Sequence, residues 1–185
     1  EFLIDEALDL ALKNKFSQEN HDELIKLIRL YFLIGGMPSV ILNYCQNYSL
    51  DEINENQELL LSTYKADFSK YAKDSSQKYL KIVFPGIFPL ISHNFKYSNI
   101  DPDLRSREIK YVLEHLINAG LIYQIFATSA NGYPLAAGIK HKKFKIIFLD
   151  IGLAQHALKI DPKIILEKNI IQVNNGAIAE QFVGQ

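Results

Sequence analysis

The sequence has almost no net charge, a single cysteine, only three arginines and no long apolar run. Each shortage excludes a class of function. With 20 lysines and arginines against 21 aspartates and glutamates, the formal net charge is −1. No global field would hold such a chain on a polyanion, so nucleic-acid contact would have to come from a local basic patch. A lone cysteine, Cys45, excludes an internal disulfide and a cysteine-built zinc site. Its apolar run, Val40-Ile-Leu-Asn-Tyr-Cys45, reads as the setting of a small buried hydrophobe, a usage that suits the cytoplasm. No signal peptide is visible, and no uninterrupted apolar stretch is long enough to span a bilayer. The phosphate-cradling pattern Gly-x-x-x-x-Gly-Lys-Ser/Thr is missing, since Gly35-Gly36 and Gly138 lack the lysine and hydroxyl at the needed spacing. His21, His93, His115, His141 and His156 are scattered with no pair at ligand spacing. They read as surface or core residues, and no metal site is expected.

What is present is an α-rich chain, 48% hydrophobic, long enough for one large or two small domains with real cores. A short helix is expected over residues 2–12 and a second, largely buried one over 21–34. Gly35-Gly36 stops the second, and Pro38 starts another through about Asn47. Ser49-Leu-Asp-Glu52 is a capping box, flanked by Tyr48 and Ile53 as a hydrophobic staple. It opens a long helix through Tyr71, with Ile53, Leu60, Tyr64, Phe68 and Tyr71 on its core face. The polar link Lys73–Lys78 is the expected domain boundary. Beyond it, Pro85-Gly86 and Pro89 must kink or split the helix that starts near Tyr79.

Arg105 and Arg107 then stand at the start of an amphipathic helix, with Ile109, Val112, Leu113, Leu116 and Ile117 at helical spacing. Ser106 is placed to cap its first turn and Gly120 to close it with a left-handed residue. A strand follows at 121–126, then Asn131-Gly132 as a turn signal and a return strand at 144–149. Lys140-His-Lys-Lys143 falls in the loop between them, and Asp150 can cap a last short helix through Leu158. A three-helix unit ending in helix, glycine and β-hairpin has the shape of a winged helix, in which this helix would enter a DNA groove.

The candidate DNA contacts are therefore Arg105, Arg107 and Lys110 on the helix and Lys140, Lys142 and Lys143 on the wing. The bland alternatives are a solvated helix face salt-bridged to Asp103, Glu108 and Glu114, and a solubilising hairpin tip. Asp161-Pro-Lys followed by Glu167-Lys168 faintly suggests a nuclease carboxylate set. Capping by Asp161 with Pro162 at the first helical position explains that run better. No nucleophile–base arrangement can be nominated, so no catalytic residue is assigned.

Five runs resemble one family in order: Tyr31-Phe-Leu-Ile-Gly-Gly-Met-Pro38, Tyr64-Lys-Ala-Asp-Phe-Ser-Lys-Tyr71, Asn118-Ala-Gly-Leu-Ile-Tyr123, Phe144–Leu153 and Gly176-Ala-Ile-Ala-Glu-Gln-Phe182. They look like the prokaryotic AAA-type P-loop ATPases that carry a carboxy-terminal domain of unknown function. The resemblance implies a layout for the longer protein. An ATPase core precedes Glu1, residues 1–75 form its helical lid-like bundle, and residues 76–160 form a winged helix. Residues 161–185 are a linker and the truncated start of a restriction-endonuclase-like domain.

On that likeness Gly35-Gly36-Met37-Pro38 would face the bound nucleotide, where the bland reading is a simple helix break. Glu180 would match the first-helix acid of the nuclease-like site, whose other residues lie beyond Gln185. ATP and Mg²⁺ are implied for the full-length protein, with no cofactor held by this chain. Its implied role is non-catalytic coupling of the ATPase core to the carboxy-terminal domain, with DNA contact through the winged helix. A free-standing winged-helix DNA-binding regulator and a protein-interaction scaffold are the alternatives. Oligomeric state is left open.

Overall fold

The computed structural model describes residues 17–47, 49–71, 74–130, 132–167 and 176–185. The helix expected over 2–12 lies outside them, as do Tyr48 of the staple and Asn131 of the turn. Helix α1 (Gln18–Ile34) starts at Ser17, whose Oγ accepts the Asn20 N–H at 3.2 Å. It stops at Gly35, whose φ of 72° suits glycine, and the Gly35 N–H closes the turn on Tyr31 O at 2.8 Å. Helix α2 (Pro38–Asn47) then leaves at 115° to α1. No single helix among the described residues is long and apolar enough to cross a membrane.

Helix α3 (Leu50–Tyr71) begins where Ser49 Oγ accepts the Glu52 N–H at 3.4 Å. It buries Ile53 and, unexpectedly for a polar residue, Gln57. The side chains of Phe68 and Tyr71 are outside the described ones. Helix α4 (Asp74–Ile87) takes in most of the polar stretch expected to be a linker. Ser, Gln and Lys are tolerated in first turns once the following Leu80, Val83, Phe84 and Ile87 bury one face. Pro85 sits inside α4, which ends two residues later and passes into a 3₁₀ turn at Phe88–Leu90. The split expected at these prolines is therefore observed.

Helix α5 (Ser106–Asn118) buries Ile109, Val112, Leu113 and Leu116, each contributing roughly 1.5–3 kcal/mol of apolar burial. Gly120 follows with φ 72°, as its position after the helix implied. Strands β1 (Ile122–Thr128) and β2 (Ile139–Phe148) pair antiparallel. Residues 91–95 lie along the other edge of β2, where Ser92 and Phe95 donate to Ile146 O and Phe144 O, both at 2.9 Å. Short helices α6 (Ile151–Ala157), α7 (Pro162–Glu167) and α8 (Ala177–Gly184) complete the order. The class is α+β and mostly helical.

Three apolar clusters hold these elements. The largest joins α4, α5, the hairpin and Leu153–Ala154 of α6. A second joins Phe32 and Leu33 of α1 to Ile151, Ile165 and Ile178, and a third joins α1, α2 and α3 through Ile34, Val40 and Ile53. Because α6 contributes to the first two, it ties the amino-terminal helices to the hairpin.

Candidate nucleic-acid interface

The start of α5 is occupied by its own acids. Arg105 is the residue before the helix, and its N–H donates to Glu108 Oε2 at 3.1 Å. Glu108 Oε1 accepts the Tyr79 hydroxyl at 2.9 Å. Ser106 is thus the first helical residue and not the cap; a glutamate three residues on reaches back more effectively. The Tyr79 hydrogen bond chiefly, with the Arg105 amide and the Arg105 and Arg107 charges, holds the Glu108 carboxyl below its usual range. Lys110 pairs with Glu114 at 3.7 Å, both side chains well exposed. Asp101 and Asp103 stand just upstream. Arg105, Arg107 and Lys110 are therefore matched by four acids, and a phosphate would meet no net positive field there.

The hairpin differs. Between His115 and Leu149 there is no aspartate or glutamate, while Lys140, Lys142, Lys143 and Lys145 all fall in this stretch. Removing those four lysines from the chain's 20 basic residues leaves 16 against 21 acids, so the rest of the molecule is distinctly acidic. Lys140–Lys143 belong to β2 and not to a loop, which corrects the sequence expectation. Phe126 pairs with Phe144 but Ala127 pairs with Lys140, so His141, Lys142 and Lys143 bulge out of the ladder. Residues 139–143 are all exposed. Phe126 contacts the His141 ring at 5.5 Å and Phe144 at 5.9 Å, giving the bulge an aromatic floor. Lys145 is spent on an ion pair with Glu180. Lys140, Lys142 and Lys143 remain to meet an anion.

Behind the hairpin lies a buried polar joint. Asp150, 2% exposed, accepts the Leu153 N–H at 2.8 Å on Oδ1, capping α6 as expected. Its Oδ2 accepts the Gly36 N–H at 2.6 Å, 114 residues away. Burial raises the Asp150 carboxyl above its usual range, against the lowering effect of the Gly36, Leu153 and Gly152 amides. Burial, and then the Asp150 charge, also raises the Tyr31 and Tyr64 hydroxyls. A Cβ on Gly152 would lie 2.6 Å from both Gly35 N and Ile34 C, so the two chain segments touch backbone to backbone. Gln57 and Gln155 donate to Leu33 O at 2.9 and 3.1 Å, satisfying the end of α1.

Gly35 is buried and Met37 half-buried, while Gly36 and Pro38 are exposed. The Gly35 and Gly36 amides are both taken, and a carboxylate sits beside them. The turn therefore offers no phosphate-binding nest of its own. Asp150 was legible as a cap, whereas its bond to Gly36 had no local signal. Gln57 and Gln155 were missed entirely. The acid-free run was countable from the sequence.

Other candidates are accounted for by structure. Asp161 Oδ1 accepts the Lys163 N–H at 2.8 Å at the start of α7. Glu180 holds Lys145 across α8 and β2. Cys45 is exposed, not buried, because the inner face of α2 is carried by Val40. Among the described residues no three His, Cys, Asp or Glu side chains converge to hold a metal ion.

No curated protein and no solved structure matches the chain. One family model does match, described as a domain of unknown function (DUF8612), over residues 25–164. That span runs without a break from α1 through the hairpin and the α6 joint into α7. The chain therefore belongs to this family of the domain of unknown function DUF8612.

Proposed function

We propose that this chain is a non-catalytic module whose basic hairpin contacts nucleic-acid phosphates. In a full-length AAA-type ATPase its buried joint would couple a nucleotide-binding core to a carboxy-terminal domain. The observation that carries the reading is the acid-free stretch from His115 to Leu149, with Lys142 and Lys143 exposed on the bulge and Lys140 exposed beside it. Contacts of this kind neutralise backbone charge without reading sequence. The coupling half rests on the family resemblance and on α6, which locks the Gly35–Gly36 turn to the end of the hairpin. ATP and Mg²⁺ would be held by the core and by no residue of this chain.

The test is fluorescence anisotropy of a labelled DNA duplex between roughly 50 and 200 mM salt. Each phosphate neutralised contributes about 0.9 to the slope of log affinity against log salt. Replacing Lys140, Lys142 and Lys143 together with glutamine should therefore flatten the slope by roughly 2–3. Replacing Arg105, Arg107 and Lys110 should change it much less. An unchanged slope in the lysine variant would remove the hairpin from the interface.

A further inference from the structure

We infer that β1 is the seam of a symmetric dimer, its outer edge pairing antiparallel with the same strand of a second copy about a two-fold axis at Ile125. The ladder fixes which backbone groups face outward. The Leu149 N–H donates to Leu121 O at 2.9 Å, so 121/149, 123/147 and 125/145 are the pairs that bond across the hairpin. Gln124 and Phe126 therefore turn their N–H and C=O away from β2, and no described residue meets them. Ile122 turns the same way but is fully buried, whereas residues 123–128 all reach solvent. The accessible edge is thus centred on Ile125.

This edge lacks the usual guards against strand pairing. β1 carries no charged residue and no proline, and the bulge lies in β2. Tyr123 and Ile125 stand on its outer face at 52% and 50% exposure. The opposite edge of the hairpin is closed. Phe144 O and Ile146 O accept the Phe95 and Ser92 amides, and Gln181 bonds both the N–H and the C=O of Phe148, at 2.8 and 2.6 Å. One open edge per chain lets two copies pair and then stops, which gives a closed dimer and no fibre.

The strand is also its own complement. With Ile125 on the axis, each copy's Gln124 pairs with the other's Phe126, so every backbone bond of the seam comes from these outward-facing residues. On the outer face the two Ile125 side chains meet, and each Tyr123 lies over the small Ala127 of the other copy, an apolar set that favours pairing. No like charges oppose it. Lys145, beside Ile125, is neutralised by Glu180. Lys140 stands opposite Ala127, which puts the two copies' lysines about 13 Å apart along the strands and about 14 Å apart across the sheet. That separation exceeds the screening length of about 8 Å. A charged foreign strand would find no ion-pair partner in β1, whereas a second copy brings no charge to the seam.

The test combines sedimentation equilibrium of the whole chain with amide hydrogen exchange, and neither depends on nucleic-acid contact. A seam this short falls below about 1,200 Å² of buried surface, the range of transient complexes, so concentration is varied from roughly 10 µM to 1 mM. The mass should rise from one chain toward two and no further. The Tyr123 and Ile125 amides, bonded within the hairpin, should be protected at every concentration. Those of Gln124 and Phe126 should slow about tenfold once about nine chains in ten are paired. Ile125→Lys and Ile125→Glu, at a half-exposed position, should each keep the chain monomeric by setting like charges face to face. An equal mixture of the two variants should restore the dimer. A parent that stays monomeric throughout, Gln124 and Phe126 amides protected independently of concentration, Ile125→Lys that dimerises like the parent, or a mixture that fails to associate would each overturn the proposal.

Discussion

Gly152→Ala tests the joint most directly, because two effects oppose each other there. Gly152 lies in α6 with helical geometry, so alanine alone would favour the helix by about 1 kcal/mol. The added Cβ would instead meet Gly35 N and Ile34 C at 2.6 Å and Ile34 O at 2.7 Å. All three are backbone atoms that no rotamer change can move. Restoring ordinary carbon contacts of roughly 3.5 Å requires α6 and the end of α1 to part by close to 1 Å.

That movement would stretch the Gly36–Asp150 bond, now 2.6 Å, and the Gln155–Leu33 bond, now 3.1 Å. Overpacking costs about 1–3 kcal/mol, and losing a hydrogen bond to a carboxylate about 1.5–3 kcal/mol. Less the helix gain, the expected net loss is roughly 1.5–5 kcal/mol. Urea unfolding monitored by circular dichroism should show a lower midpoint with an unchanged slope. A variant as stable as the parent, or more stable, would mean that helix propensity wins and that the α1–α6 contact is not tight.

Two further outcomes follow from neighbouring geometry. Gly120 has φ 72° and nothing within 4 Å of a built Cβ, so Gly120→Ala carries only the left-handed backbone penalty, about 1 kcal/mol; a neutral variant in the same urea assay would show the turn to be differently shaped. The Asp150 carboxyl is raised by burial, so the folded state keeps its proton at pH values where the unfolded chain has released it. Its contribution to stability therefore falls as pH rises from the ordinary aspartate range to the raised value. Asp150→Asn should remove that component, making the urea midpoint fall less with rising pH across this window than in the parent; parallel curves would contradict the burial argument.

Local signals located most of the elements. Ser49, Asp150 and Asp161 cap where their sequences place them, Gly35 and Gly120 end helices, and the apolar stripe of α5 is the buried one. Each depends on residues within a few positions, where backbone sterics and one hydrogen bond dominate. The polar stretch from Asp74 was misread because a first helical turn and a linker share a composition. Lys140–Lys143 were misplaced because a bulge appears only once the partner strand sets the register.

By itself the sequence determined most helix ends, the α5–Gly120–hairpin shape and the concentration of unopposed lysine between His115 and Leu149. Those follow from short-range conformational preference and from counting charge. Only the tertiary structure decided which basic residues stay free. It set Glu108 and Glu114 against the α5 cations, spent Lys145 on Glu180, and left Lys140, Lys142 and Lys143 exposed. It also brought Asp150 to Gly36 and Gln57 and Gln155 to Leu33. Partners that far apart in the chain carry no periodic signal; they meet because two of the three apolar clusters share α6, and burial then favours a bond for each polar group.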